Sequence, residues 1–234
     1  MASHPSIIEF LPTHVLSEVL ATVASSSMAD LCTLKTCSKE LHNLIEEDDF
    51  IYQRACMQKL PYIPWFITPP ESSFLTRCRQ SGNPESLYRE GMVQYFSPLG
   101  LHDSGLERLK EASEKGHTEA RYVCGMILLC SEVEDERKQG VELLRCFLGK
   151  RRFVETCRKK VDACLRMMWK NDRTRTLFGN GRRERLCGSN MCRGLQEIAG
   201  LESGWPGLNE EDEGVSCVLC RWDYELRQFS KICC

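Results

Sequence analysis

Between Leu11 and Ile45 the apolar residues recur at helical spacing. Leu16, Val19, Leu20 and Val23 stand at i, i+3, i+4 and i+7, while Ser17, Glu18 and Thr22 fall on the opposite face. This predicts a helix opened by Leu11 and Pro12 and broken at Ala24–Ser27. Pro12 suits a first turn, where its missing N–H has no helical partner to lose. Asp30 is a candidate N-cap for a turn carrying Leu31 and Leu34, and Ser38 for one carrying Leu41, Leu44 and Ile45. Asp48 and Asp49 can start a further helix with Phe50, Ala55 and Met57 inward. A segment of ~40 residues is too small to bury such stripes by itself, so part of this apolar surface needs a cover.

The helical pattern then stops. Lys59–Pro70 (KLPYIPWFITPP) holds four prolines and predicts an extended linker with Tyr62, Trp65 and Phe66 available for packing. Beyond it the pattern repeats itself: Gly82, Glu85, Tyr88, Gly91 and Met92 return, shifted by 34, as Gly116, Glu119, Tyr122, Gly125 and Met126. GLERLKEA from Gly105 is echoed by GVELLRCF from Gly140. A period near 34 is that of paired antiparallel helices stacked in a solenoid, and Gly91, Ala120 and Gly125 would allow close helix approach. A further stripe runs through Val154, Cys157, Val161, Cys164, Leu165, Met168 and Trp169, and Asn171–Arg185 reads as a loop. The fold class is mainly α. A three-helix bundle over 8–58, a Pro-rich linker over 59–70, a short solenoid over 71–170 and an irregular Cys-rich tail over 171–234 make up the expected order.

Composition narrows the function. A hydrophobic share of 42% with a net charge of −2 describes a globular chain, and no apolar run approaches the ~20 residues of a transmembrane helix. The N-terminus lacks a cationic start and a long apolar core, so no secretory signal is expected and the predicted location is intracellular, cytoplasm or nucleus. Thirteen Lys/Arg against four Asp/Glu between Lys150 and Arg185 give +9, but the helical stripe there assigns these charges to a solvated face rather than to nucleic acid. Five histidines sit in no nucleophile or metal motif, and no phosphate loop, GxSxG elbow or HExxH is present, so no enzyme is expected.

Fifteen cysteines require a separate reading. Cys32, Cys56, Cys78, Cys124, Cys130, Cys146, Cys157 and Cys164 read as small reduced core residues. The C-terminal clusters, Cys187-x4-Cys192 and Cys217-x2-Cys220, flank a glycine- and acid-rich stretch that cannot order itself by burial. Four thiolates so paired predict one structural zinc, with Cys233 or Cys234 as substitutes for one ligand and unpaired surface thiols as the competing reading. Trp222, Leu226 and Phe229 are expected to pack back on the repeats.

Two resemblances add to this. Leu11-Pro12, Val15-Leu16, Val19-Leu20, Leu31, Leu34, Cys37, Ser38, Lys39, Leu41 and Ile45 follow the pattern of an F-box, which this stretch resembles. It departs from that pattern at His14, where an acidic residue is usual, and at Leu41, where Trp is frequent. Leu109–Leu129 resembles the Sel-like branch of tetratricopeptide-related repeats, with its Gly-His turn followed by Ala-x-Tyr-x-x-Gly; that likeness extends over roughly 73–149. In order of parts the chain is similar to plant F-box proteins with Sel-like helices and a Cys-rich tail. The resemblance implies a substrate adaptor of a cullin-based ubiquitin ligase. Leu11, Pro12, Val15, Leu16, Val19, Leu20, Leu31, Leu34, Cys37 and Leu41 would bind a Skp-type linker, and the repeats would bind an unidentified protein substrate. The alternative is a helical-repeat interaction scaffold outside any ligase.

Overall fold

Short polar residues punctuate the N-terminal helices and set where each begins. In this computed structural model, which describes residues 11–62, 67–98, 102–179, 186–188 and 217–233, helix α1 (Thr13–Ser26) is followed by α2 (Met28–Cys37), α3 (Lys39–Glu47) and α4 (Asp49–Gln53). Ser27 caps α2 by accepting from the Asp30 N–H at 3.2 Å, Ser38 caps α3 by accepting from Leu41 at 3.1 Å, and Asp48 caps α4 by accepting from Phe50 at 2.9 Å. Each side-chain oxygen satisfies a backbone donor that the first helical turn leaves without a partner. The break expected at Ala24–Ser27 comes three residues late. Ala24 is fully buried, and the hydroxyls of Ser25 and Ser26 bond back to the Thr22 carbonyl at 2.8 and 3.1 Å, so both serines stay in the helix. Asp30 lies inside the first turn of α2, and Ser27 takes the capping role.

Among the described residues there are twelve α-helices and no strand. The chain divides into two compact units, 1–89 and 90–234. In the first, Leu20, Ala21, Ala24, Leu31, Leu41 and Ile45 of the N-terminal helices share a core with Ile51, Tyr52, Met57, Leu60, Phe74 and Cys78. Phe74 and Cys78 belong to α5 (Pro69–Gln80), which opens with the last two prolines of the Pro-rich stretch. These sit at N1 and N2, where a proline costs no hydrogen bond, and Glu71 closes a capping box by accepting from the Thr68 N–H and hydroxyl, both at 2.8 Å. Trp65 and Phe66 lie outside the described residues.

Two buried polar side chains fix the residues after α4. Asn83, which precedes α6 (Pro84–Phe96), donates to the carbonyls of Tyr52, Gln53 and Ala55 at 2.9, 3.1 and 3.0 Å. Its oxygen accepts from the N–H groups of Glu85 and Ser86 at 3.0 and 3.1 Å. Arg89 donates to the carbonyls of Met57, Leu60 and Pro61 and lies 4.4 Å over the Tyr62 ring.

The second unit continues with α7 (His102–Glu114), α8 (Thr118–Leu129), α9 (Glu134–Leu144) with a 3-10 turn at Arg145–Phe147, α10 (Arg151–Arg166), α11 (Asp172–Gly179) and α12 (Val218–Cys233). The period read from the sequence appears as geometry. A Cβ added to Gly91 would lie 2.8 Å from the Leu109 side chain, and one added to Gly125 would lie 2.4 Å from that of Leu144. Gly105 and Gly140, on the opposing helices, approach the backbone of Tyr95 at 2.5 Å and of Leu129 at 2.9 Å in the same sense. The turns also match at a shift of 34. Gly82 and Gly116 both take positive φ, 74° and 88°, and each is followed by an N–H bond back across the turn, Asn83 to Cys78 and His117 to Ala112, both at 2.9 Å.

The later helices depart from the sequence expectation in two places. Val154, Cys157, Val161, Cys164, Leu165 and Met168 are buried as the stripe requires, but α10 ends at Arg166 and Trp169 is 81% exposed, having left the helical register. The stretch from Asn171, expected as a loop, forms α11. Asn171 accepts from the Thr174 N–H at 2.6 Å and donates to the carbonyls of Tyr95 and Ser97 at 2.9 and 3.1 Å, and Phe178 stacks on Phe96 at 6.4 Å.

The glycine contact is testable by the smallest possible side chain. Gly125→Ala places a methyl group within the Leu144 side chain and is expected to lower stability by about 1–3 kcal/mol. In a denaturant-melt cycle with Leu144→Ala the double variant should be more stable than the sum of the singles by roughly 1 kcal/mol or more, since the two residues share one space.

Candidate functional site

The ten residues expected to form a partner-binding edge divide by burial. Leu20 (2% exposed), Leu31 and Leu41 lie in the interior of the first unit, so their contribution is to the fold that carries the edge. Val15, Leu16 and Leu34 are half-buried, and Leu16 and Leu34 rest against the core. Leu11, Pro12, Val19 and Cys37 are exposed, with Val19 at 48%. Val15 and Val19 stand four apart on α1, with Leu11 and Pro12 exposed just before the helix begins, so apolar residues at the start of α1 lie outside the core. Polar contacts hold that core. Lys35 of α2 pairs with Glu46 of α3 and lies 3.3 Å from the Tyr52 hydroxyl, while Arg77 of α5 covers the Tyr52 ring at 5.1 Å and bonds the Asp49 carboxylate at 2.8 Å.

In the second unit α7, α8 and α9 enclose a groove of about 670 Å³. Lys110, Glu114, Arg121, Glu142 and Arg145 give it both signs of charge around an apolar floor at Leu128 and Leu143. Arg121 is held across the groove, donating to the Ser113 carbonyl at 3.3 Å and reaching the Cys146 sulfur at 3.7 Å.

The tail brings together three of the four predicted zinc ligands. Cys187, Cys217 and Cys220 have their sulfurs within 4.8 Å of one another, and those of Cys187 and Cys217 are 3.8 Å apart. Cys192 lies outside the described residues. Cys233 cannot replace a ligand beside Cys220: it stands thirteen residues further along the same helix, ~20 Å on at 1.5 Å per residue. The spacing alone did not show the role of Asp223. Its carboxylate accepts from the N–H groups of Leu186 and Cys187 at 2.9 and 3.3 Å, holding the Cys187 turn against the first turns of α12. The available signal was an acid at i+3 from the last cysteine of the C-x2-C pair.

Two residues further on, Glu225 is fully buried, accepts from the Tyr122 hydroxyl at 2.6 Å and pairs with Arg158 at 2.7 Å, joining α12 to α8 and α10. Burial, with the Glu225 charge beside it, pushes the Tyr122 phenol well above its usual range. The buried Trp222 and Phe229 complete this packing, with Phe229 5.8 Å from Tyr122 and 5.2 Å from Phe178.

The other cysteines sort by helix face. Cys78, Cys124, Cys130, Cys157 and Cys164 are buried, and burial pushes the thiols of Cys78, Cys124 and Cys157 up to about 12. Cys32 and Cys146, expected in the core, are exposed, and Cys56 is half-buried.

The fold and these surfaces define a helical-repeat protein with an added N-terminal bundle. Residues 57–166 match the family described as plant tetratrico peptide repeats. A putative F-box protein of Arabidopsis thaliana is 34% identical over 137 residues, covering 58% of this chain and 45% of that protein. A second F-box protein of Arabidopsis thaliana is 27% identical over 133 residues, covering 57% of this chain and 80% of its own length. The chain thus spans less than half the length of the first relative. No solved structure matches. Among the described residues no helix is long and apolar enough to cross a membrane.

Two outcomes follow from the buried groups. Glu225→Gln leaves Arg158 without its counter-charge and should cost about 3–5 kcal/mol, measured by chemical denaturation. Raising the pH above about 9 should also destabilise the fold. The folded Cys78 and Cys124 thiols stay protonated to about 12, whereas their unfolded counterparts ionise near 9, so the stability present below that pH is lost as it rises. A pH series of melts checks the direction, and Cys78→Ala with Cys124→Ala should flatten it.

Proposed function

We propose that this protein is a substrate adaptor of a cullin-based ubiquitin ligase, in which the N-terminal bundle docks on a Skp-type linker and the helical repeats receive a protein target. The observation that carries this reading is the exposed apolar edge of Leu11, Pro12 and Val19 on a bundle whose core is otherwise complete. These residues are part of the F-box pattern in the sequence, and both reported relatives carry that name. The adaptor performs no chemistry of its own. It raises the effective concentration of a target lysine near the charged ubiquitin carrier, and holding two reactants together removes much of the entropic part of the barrier. The groove between α7, α8 and α9 is the surface offered to the target, and the Gly-His turn with its following helix supports reading these repeats as Sel-like.

A second reading is a helical-repeat scaffold that works outside any ligase, and the same groove supports it, since it needs no F-box partner. Co-purification with a Skp-type linker separates the two. The wild-type chain should retain the linker, and Leu11→Ala with Val19→Ala should weaken binding by about tenfold or more while the melt stays unchanged, as expected for anchor residues already exposed in the free chain. Undiminished binding by the double variant rejects this edge, and failure of the wild type to bind leaves the scaffold.

A further inference from the structure

Three sulfurs from two stretches of chain meet in one corner of the second unit, and their surroundings are built for it. Cys187 and Cys220 are buried and Cys217 is half-buried. Cys217 immediately precedes α12 and its carbonyl accepts the Arg221 N–H at 3.2 Å, so both cysteines of the C-x2-C pair sit at the start of that helix. The Cys187 turn is brought to them by a buried carboxylate, Asp223, through the two backbone bonds described above.

The sulfur distances exclude a disulfide and match a tetrahedral edge, and in the metal-free chain the same separation lets the Cys217 thiol donate to the Cys187 sulfur. A disulfide needs its sulfurs at ~2.05 Å. Two thiolates on a tetrahedral zinc at ~2.3 Å stand ~3.8 Å apart, the edge of the tetrahedron. Cys187 and Cys217 are 3.8 Å apart. Thiolates this close together in a mostly buried site would repel one another unless a cation joined them. A soft, all-sulfur donor set selects zinc among the divalent ions that keep a single oxidation state.

We infer that Cys187, Cys217 and Cys220 are ligands of one structural zinc ion, with Asp223 as the positioning residue that sets the Cys187 turn. Binding takes the three thiols to thiolates and releases their protons to solvent, with no change of oxidation state. The ion fastens the segment at 186–188 to the first turn of α12, five residues before the Glu225 anchor. This inference is independent of the adaptor reading and stands or falls without a linker or target.

The test uses the full chain, purified with a reductant and without added metal. Elemental analysis should give about one equivalent of zinc, and a mercurial thiol reagent should release it to a chromogenic chelator, as thiolate ligation requires. Cobalt exchanged into the wild type should show a thiolate-to-metal charge-transfer band and the strong visible absorption of tetrahedral coordination. Cys217→Ser with Cys220→Ser should abolish zinc binding, while Cys146→Ser, an exposed thiol elsewhere, keeps it. Asp223→Asn should weaken zinc affinity about 10–100-fold, the usual effect of losing an outer hydrogen-bond partner. Absence of zinc in the wild type even after zinc is added to the reduced protein overturns the inference. So does an equivalent retained by the double cysteine variant, or the finding of iron or copper in place of zinc. Because the wild-type measurements decide the matter, a variant that fails to fold does not rescue it.

Discussion

Backbone touching backbone is the constraint on which the repeat unit depends. At Gly91, Gly105, Gly125 and Gly140 the facing helix lies where a Cβ would be, so each helix pair is closer than ordinary side chains permit. Glycine in a helix interior is unfavourable by roughly 0.5–1 kcal/mol relative to Ala, and that cost recurs at four equivalent places. The return is the seating of Leu109 and Leu144, fully buried against the facing glycines. Because the arrangement is repeated with the same residues, the two helices within each pair approach equally closely.

Where apolar contact does not specify a geometry, buried polar side chains do. Asn83 and Asn171 turn towards carbonyls that the ends of α4 and α6 leave without intrahelical partners, and Arg89 towards those of the turn at 57–61. A buried carbonyl without a donor is costly, and an amide or guanidinium that serves two or three of them at once also determines how the chain leaves the helix. Asn83 and Asn171 use the opposite side of the same amide as an N-cap, so one residue ends one helix and begins another.

The sequence carried the parts of this fold that depend on periodicity. The offset of 34 between Gly91 and Gly125 and the apolar stripe from Val154 to Met168 are local patterns, and the structure follows both. What it did not reveal depends on tertiary partners. Ser25 and Ser26 look like helix breakers until their hydroxyls are seen bonded to the Thr22 carbonyl, and Pro69 and Pro70 look like linker until Thr68 and Glu71 cap them. Asn171–Arg185 reads as loop by charge and glycine content, and α11 forms because Phe178 has Phe96 and Phe229 to pack on. Of the candidate sites, the C-x2-C pair was visible in its spacing. Asp223 left only its place at i+3 from Cys220 as a trace, and Glu225 left none, since an acid on a helix shows its role only once its distant donors are known.

The Tyr122–Glu225 bond spans 103 residues, whereas the glycine contacts of the repeats join neighbours in sequence. Contacts between near neighbours form first, because closing a short loop loses less chain entropy. On the ribosome, therefore, α7 to α10 can pair while the last helix is still inside the exit tunnel, with the Tyr122 ring and the Arg158 charge uncovered. Arrival of α12 completes the unit, supplying the carboxylate and the aromatic surface of Trp222 and Phe229 in one docking step. A message cut short before residue 217 would yield repeats that pair but keep an apolar, positively charged wound, the kind of surface that chaperones hold and quality-control proteases remove.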